Sequence, residues 1–324
     1  MSYGHAMSQG SVLPRAETVE EFDALRSDEA RLVPGVTALC RRLGFRDDAI
    51  VRFEGGSLPV YAVGSSRVLK LYPAVYRHEL DVESGVLAAV EGRLPVPTPG
   101  VEAVGECEGW GYVLMERLRG ESLTAVWPRT SPRQRDRLAD ELGAALAAMH
   151  AIEDPVLDRL GPADWERFVA EQRAGCVDQQ RRAGLGEPWL AQVPDFLDAV
   201  PLAPPTPPVL LHTEVMSDHL LVTPCDDGWT LSGLFDFEPA MRGAREYEFA
   251  AVGLFVSRGD AAFLRRLLTA YGYAPHQLGE DLSRRFLAYT LLHVYSDLRW
   301  YLQELPAPPE PTLDALAATW WALG

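Results

Sequence analysis

The stretch that decides the fold is His212 to Val222, HTEVMSDHLLV, followed by Gly233 to Ala240, GLFDFEPA. VLLHTE with HLLV reads as one short apolar strand region and WTLSGLFDF as a second, joined by a tight turn at Asp226-Asp227-Gly228. Taken singly, the polar residues at the ends of these runs carry little. A His-x-Glu is ordinarily a surface or capping arrangement, and an Asp such as Asp236 is ordinarily a turn residue. What carries the reading is their order, set beside what lies on either side.

Toward the N-terminus, IVRFEGG, PVYAVG and RVLKLY start at Ile50 and are separated by Gly and Ser, which predicts an antiparallel meander with tight turns. Lys70 lies inside the third run, where a strand side chain can face solvent or a lobe interface. Glu79 to Glu91 predicts a helix with Leu80, Val86, Leu87 and Val90 on one face, ended by the proline-fixed LPVPTPG. VEAVGE and WGYVLMERL then predict the strand pair that closes a first lobe. Gly55 and Gly56, followed by Ser57, form a turn whose amides can approach an anion closely because glycine has no Cβ. Before the meander, Thr18 to Arg31 predicts a charged helix, and Val36, Leu39, Cys40 and Leu43 recur at helical spacing as far as Gly44.

Toward the C-terminus the texture is helical. Arg133 to Ile152 sets Leu138, Leu142, Ala145, Leu146 and Met149 three and four apart. Helices are predicted over Trp165–Gln180, around Trp189–Leu197, and over Glu246–Arg258, Ala261–Tyr271, Leu282–Leu305 and Thr312–Leu323. PLAPPTPP reads as a stiff linker. The predicted class is therefore α+β with two lobes: a loose start over residues 1–15, a sheet-rich N-lobe over 16–118 and a helical C-lobe over 119–324.

Composition narrows the partners. Lys and Arg number 30 against 46 Asp and Glu, and the formal charge of −16 opposes nucleic acid and anionic lipid while permitting a cationic substrate. Cys40, Cys107, Cys176 and Cys225 form no CxxC pair, which predicts free thiols and a cytoplasmic setting. No apolar run is long enough to span a bilayer.

These motifs, in this order, resemble the aminoglycoside phosphotransferase and choline kinase superfamily. That superfamily carries a His-x-Asp-x-x-x-x-Asn loop entering an apolar strand, and an Asp-Phe or Asp-Trp pair at the end of the next hairpin strand. The resemblance runs from about Ile50 to Tyr301 and implies a protein-kinase-like fold, with a small antiparallel-sheet N-lobe and a larger helical C-lobe. It also implies ATP or GTP as phosphoryl donor and Mg²⁺ or Mn²⁺ as cofactor. Carried over by position, it makes Glu214 the catalytic carboxylate and His212 the residue that braces the loop. His219 and Asp236 become the metal ligands, with adjacent Asp218 as an alternative. Two residues depart from the pattern: Glu214 stands for Asp and is one methylene longer, and His219 stands for Asn, offering imidazole where Mg²⁺ prefers oxygen.

The same resemblance assigns nucleotide binding to Gly55, Gly56 and Ser57, to Lys70 paired with Glu83 (Glu79 being the fallback), and to a hinge at Met115, Glu116 and Leu118. At that hinge, backbone groups of Glu116 and Leu118 would read the base and Met115 would wall it. Leu58-Pro59 departs from the Asn that often follows the turn in relatives. Glu248 would tie the following helix to the catalytic loop, and Glu238, Asp260, His293, Asp297 and Trp300 fall where an acceptor pocket is built. The implied reaction is transfer to a hydroxyl of a small, cationic molecule, with an aminoglycoside as first expectation, by a monomer or small homo-oligomer. Two other functions stay open on these residues. One is a nucleotide- or ligand-binding relative that does not transfer; the other is a metabolic small-molecule kinase.

Overall fold

A computed structural model of the chain describes residues 13–202 and 207–323. Residues 1–12 of the expected loose start and residues 203–206 of the expected PLAPPTPP linker lie outside the described residues. The chain divides into two compact units. One runs up to Ala88 and resumes from Pro99 to Arg117; the other takes Ala89–Thr98 and the chain from Leu118 onward.

In the first unit, the charged segment forms two helices rather than one: α1, Val19–Asp23, and α2, Glu29–Arg42. The break is local chemistry. Thr18 and Glu21 close a reciprocal cap on α1, and Asp28 restarts the chain by accepting from Arg31 N at 3.3 Å. Among the described residues, β1 (Ile50–Arg52), β2 (Val60–Val63), β3 (Arg67–Tyr72), β4 (Val101–Cys107) and β5 (Trp110–Glu116) make one sheet in the order β1-β2-β3-β5-β4, antiparallel throughout. Helix α3, Arg77–Val90, buries Leu80, Val86 and Leu87. Strand alternation puts Lys70 and Tyr72 on one face of β3 and Leu69 and Leu71 on the other. All four are buried, so β3 is the central, two-sided strand of this unit.

The second unit begins with β6 (Glu121–Ser122), α4 (Leu123–Val126) and the long α5 (Pro132–His150), which starts on a Ser131/Gln134 capping box with proline at its first turn. Then come α6 (Trp165–Arg182), α7 (Glu187–Leu190) and α8 (Val193–Ala199). The predicted helix around Trp189–Leu197 is thus split in two, with Pro194 at the head of the second piece. Strands β7 (Val209–Leu211), β8 (Leu220–Cys225), β9 (Gly228–Leu234) and β10 (Met241–Gly243) follow. β8 and β9 form the expected hairpin and β6 joins its edge, but β7 leaves it and pairs antiparallel with β10. The loop between β7 and β8 therefore spans two separate sheets.

Helix α9 (Arg245–Ala251) runs into a π-helical segment, Val252–Ser257, and α10 (Ala261–Tyr271) follows as expected. The predicted helix Leu282–Leu305 is corrected to α11 (Glu280–Leu292) and α12 (Leu298–Glu304), because Asp297 caps a new helix by accepting from Trp300 N at 2.9 Å. Helix α13, Leu313–Trp320, ends the described chain and packs with α11. No helix among the described residues is long and apolar enough to cross a membrane.

Candidate active site

In the first unit the strand lysine and the helix glutamate meet. Lys70 Nζ of β3 stands 2.9 Å from Glu83 Oε2 of α3, with both side chains almost wholly buried at 5% and 2% exposure. Tyr72, two residues along the same strand face, donates its hydroxyl to the same Glu83 oxygen, and its ring lies 5.7 Å from Lys70 Nζ. Reading the sequence missed Tyr72, although period-two alternation puts it beside Lys70. A buried ion pair with an added donor holds the ammonium in one place, so any anion it binds is bound at a fixed position.

The other nucleotide candidates of this unit are spread along it. Gly55 and Gly56 lie exposed between β1 and β2 with φ of 84° and 85°, a region open to glycine, and Ser57 is exposed beside them. Met115 is buried in β5. Glu116 at the end of β5 donates its N–H to the Gly100 carbonyl at 2.8 Å, so that amide is already engaged. Leu118 opens the second unit with its side chain half-buried.

The second unit holds the loop between β7 and β8. Glu248 of α9 is fully buried and accepts from both loop amides, His212 N at 2.7 Å and Thr213 N at 3.0 Å. Behind it, His150 of α5 has Nε2 3.4 Å from Glu248 and Nδ1 2.7 Å from the Tyr271 hydroxyl. Thr213 has φ of 70°, a strained setting for a β-branched residue, and its hydroxyl donates to the Pro239 carbonyl at 3.0 Å.

His212 braces the loop through both ring nitrogens. Nδ1 accepts from Glu214 N at 3.3 Å, so Nε2 carries the proton that is donated to the Phe235 carbonyl at 3.0 Å. Its pKa is held below the ordinary histidine value by burial, with Glu248 opposing. With both nitrogens in use, His212 is a strut and offers no lone pair to a metal.

Glu214 follows with its side chain partly exposed, and its negative charge helps raise the pKa of Tyr301, which burial chiefly pushes up to about 12. His219 closes the loop. Its Nδ1 is 2.8 Å from the Glu214 carbonyl, and its Nε2 is 3.2 Å from Asp236 Oδ2. Asp236 has φ of 77°, just after β9, where Leu234 N bonds to the Pro97 carbonyl and Phe235 N to the His219 carbonyl. The proline-fixed segment thus helps hold the end of β9. Glu238, expected in an acceptor pocket, has a carboxylate oxygen within 4.8 Å of one on Asp236. Asp218 is exposed, with Oδ1 3.4 Å from the Ser122 hydroxyl.

The remaining acceptor candidates part company. Asp260 caps α10 by accepting from Phe263 N at 3.0 Å, and Asp297 caps α12, so both carboxylates have local structural work. His293 is buried at 7% exposure and stacks on Tyr247 at 4.9 Å; burial lowers its pKa to about 4. Trp300 is 42% exposed, its ring 6.0 Å from that of Phe255. Phe255 belongs to the π-helical segment, and its carbonyl accepts from the Ser217 hydroxyl of the β7–β8 loop at 2.7 Å. The apolar pattern that predicts a helix over Glu246–Arg258 carries no mark of the π-helical segment, so nothing in the sequence pointed to that link.

The sequence profile of the family described as "phosphotransferase enzyme family" matches residues 49–281. Among solved structures, a GDP complex of an aminoglycoside 2'-phosphotransferase is 16% identical with a TM-score of 0.66, covering 83% of this chain and 91% of that one. The apoenzyme of a macrolide 2'-phosphotransferase from Brachybacterium faecium is 20% identical with a TM-score of 0.57, covering 88% and 97%. Both share the kinase-like fold, a small antiparallel-sheet lobe with a helical remainder. The lysine-specific demethylase JMJ21 of Arabidopsis thaliana is 23% identical over 205 residues, which is 50% of this chain but 21% of that protein. The chain thus spans about a fifth of that relative's length.

Proposed function

The chain belongs to the phosphotransferase enzyme family, and on that premise we propose that it moves the γ-phosphoryl group of ATP or GTP to a hydroxyl of a small polar molecule. The observation that carries this reading is the loop from His212 to His219. It is clamped by Glu248, braced by His212, and closed on Asp236 by His219, with Glu214 presented between them. Glu214 would orient the acceptor hydroxyl and take its proton as the oxygen bonds to phosphorus and the nucleoside diphosphate leaves. Lys70, fixed by Glu83 and Tyr72, would hold phosphate oxygens of the donor. Asp236 and His219 are donors suited to a divalent cation, which would neutralise phosphate charge when bound.

For the acceptor, an antibiotic such as an aminoglycoside is the first candidate class. The structural neighbours described above are an aminoglycoside 2'-phosphotransferase and a macrolide 2'-phosphotransferase, and the net charge of −16 favours a cation. Calorimetric titration with ATP and with GTP, each with Mg²⁺ and then Mn²⁺, tests the donor half. Saturable binding of at least one nucleotide is expected, and binding of neither removes the reading.

A further inference from the structure

Helix α9 and the π-helical segment that continues it hold the β7–β8 loop at both ends. Near the head of α9, Glu248 accepts from His212 N and Thr213 N. At the tail, the Ser217 hydroxyl donates to the Phe255 carbonyl at 2.7 Å. The way the segment ends leaves that carbonyl to the loop. A π turn brings a carbonyl to the amide about five residues on, which for Phe255 is Asp260. Asp260 N instead bonds to the Ser257 carbonyl at 2.8 Å, and the Asp260 side chain already caps α10. Arg258, with φ of 49°, turns the chain out of the helix and returns its N–H to the Gly253 carbonyl at 2.9 Å. Helix ends leave their last carbonyls to outside donors, and here Ser217 supplies one.

Between the two ties lie Glu214, Val215 and Met216, with Val215 fully buried. Ser217 then opens a single 3₁₀ turn to His219. The His219 N–H bonds back to the Met216 carbonyl at 3.0 Å, and its Nδ1 lies 2.8 Å from the Glu214 carbonyl. Ser217 is thus the pivot between Glu214 and His219, and releasing its hydroxyl frees the backbone that carries both. One neutral hydrogen bond adds little to global stability, so the effect of this one falls on where the loop stands.

We infer that Ser217 is a positioning residue for phosphoryl transfer, holding Glu214 at its working distance from the acceptor hydroxyl through the tie to Phe255. The inference rests on the phosphotransferase reading for its reaction and adds to it a residue that acts through Glu214. Misplacing a reacting group by about 1 Å can cost about a hundredfold in rate. The residues proposed to bind the nucleotide, Lys70 among them, stand on other elements, so the loss falls on kcat and spares KM.

The test compares wild type with Ser217→Ala, Ser217→Cys and Ser217→Thr in the full chain. Without ligand, hydrogen exchange at the His219 amide should quicken about tenfold in Ser217→Ala and stay near the wild-type rate in Ser217→Thr. Ser217→Cys, whose thiol is a weak donor, should fall between them. The His212 and Thr213 amides, held by Glu248, should not change. With whichever donor and acceptor wild type turns over, kcat should fall about tenfold or more in Ser217→Ala, both KM values staying within about twofold. Across the variants kcat should rank as His219 protection does. Wild-type exchange in Ser217→Ala, a kcat that departs from this ranking, or a loss carried by KM overturns the inference and leaves Ser217 as a helix cap alone. Transfer by wild type with kcat unaltered in Ser217→Ala removes the role of Ser217 and keeps the reaction; no transfer by wild type removes both.

Discussion

Lys70 and Glu83 show how much a single residue's setting changes what its mutation does. Recognised by their order in the sequence, they read as a nucleotide anchor; in the structure they are also a buried ion pair sharing Tyr72. Lys70→Ala therefore removes the proposed phosphate anchor and takes the Lys70 cation away from the buried Glu83 carboxylate, a change that costs about 3–5 kcal/mol in comparable pairs. Loss of nucleotide affinity is expected together with a lower melting temperature. The paired change Lys70→Met with Glu83→Gln should recover most of the stability and none of the affinity, as read by denaturant melts and titration. Glu214 poses a different question, since its extra methylene changes reach and not charge. If the loop is built around glutamate, Glu214→Asp lowers turnover by opening a gap to the acceptor hydroxyl, while nucleotide affinity stays unchanged.

At the level of elements, the loop between β7 and β8 depends on α9 and α5, which no local pattern in the loop records. Glu248 offers both oxygens to the two amides that start the loop, and His150 and Tyr271 stand behind it. Glu248→Gln keeps the shape but turns one acceptor into a donor, setting an NH₂ group against an amide. A loss of about 1.5–3 kcal/mol is expected, with faster hydrogen exchange at His212 and Thr213 and a fall in turnover. Exchange at those amides unchanged from wild type would remove the clamp.

Reading the sequence found the elements that local signals mark. The meander around Lys70, helix α5 and the hairpin β8–β9 follow directly from apolar spacing and turn residues. Other features depend on distant partners. Strand β7 reads like a member of the hairpin sheet, and only its pairing with β10 takes it elsewhere. The break before α12 turns on one aspartate caught as a cap, and the apolar spacing simply runs across it.

At the scale of the whole molecule, burial favours the neutral form of His212 and of His293. Burial lowers the pKa of His212, and takes that of His293 from 6.5 to about 4. Each binds a proton more readily in the unfolded chain than in the folded one. Stability is therefore full above about pH 6.5 and falls as pH drops through the window toward 4. Urea melts at pH 7 and pH 5 should show the midpoint moving down with the slope unchanged. His293→Gln should lessen the shift. At this scale the sequence made the fold class legible through the order of its motifs, while the residues expected to line an acceptor pocket could not be sorted, because Asp260 and Asp297 look like surface acids until their helix caps are seen.

The central claim is phosphoryl transfer, and ³¹P NMR tests it most directly. Wild type is incubated with ATP or GTP, Mg²⁺ or Mn²⁺, and a panel of aminoglycosides, macrolides, amino alcohols and sugars. A new phosphate monoester resonance is predicted with at least one acceptor, appearing with matching nucleoside diphosphate. In Glu214→Gln, which keeps shape but not basicity, it should form about a hundredfold to ten-thousandfold more slowly while nucleotide binding persists. Wild-type protein that binds nucleotide yet forms no monoester with any acceptor under either metal would contradict the account and leave a nucleotide-binding protein on a phosphotransferase fold.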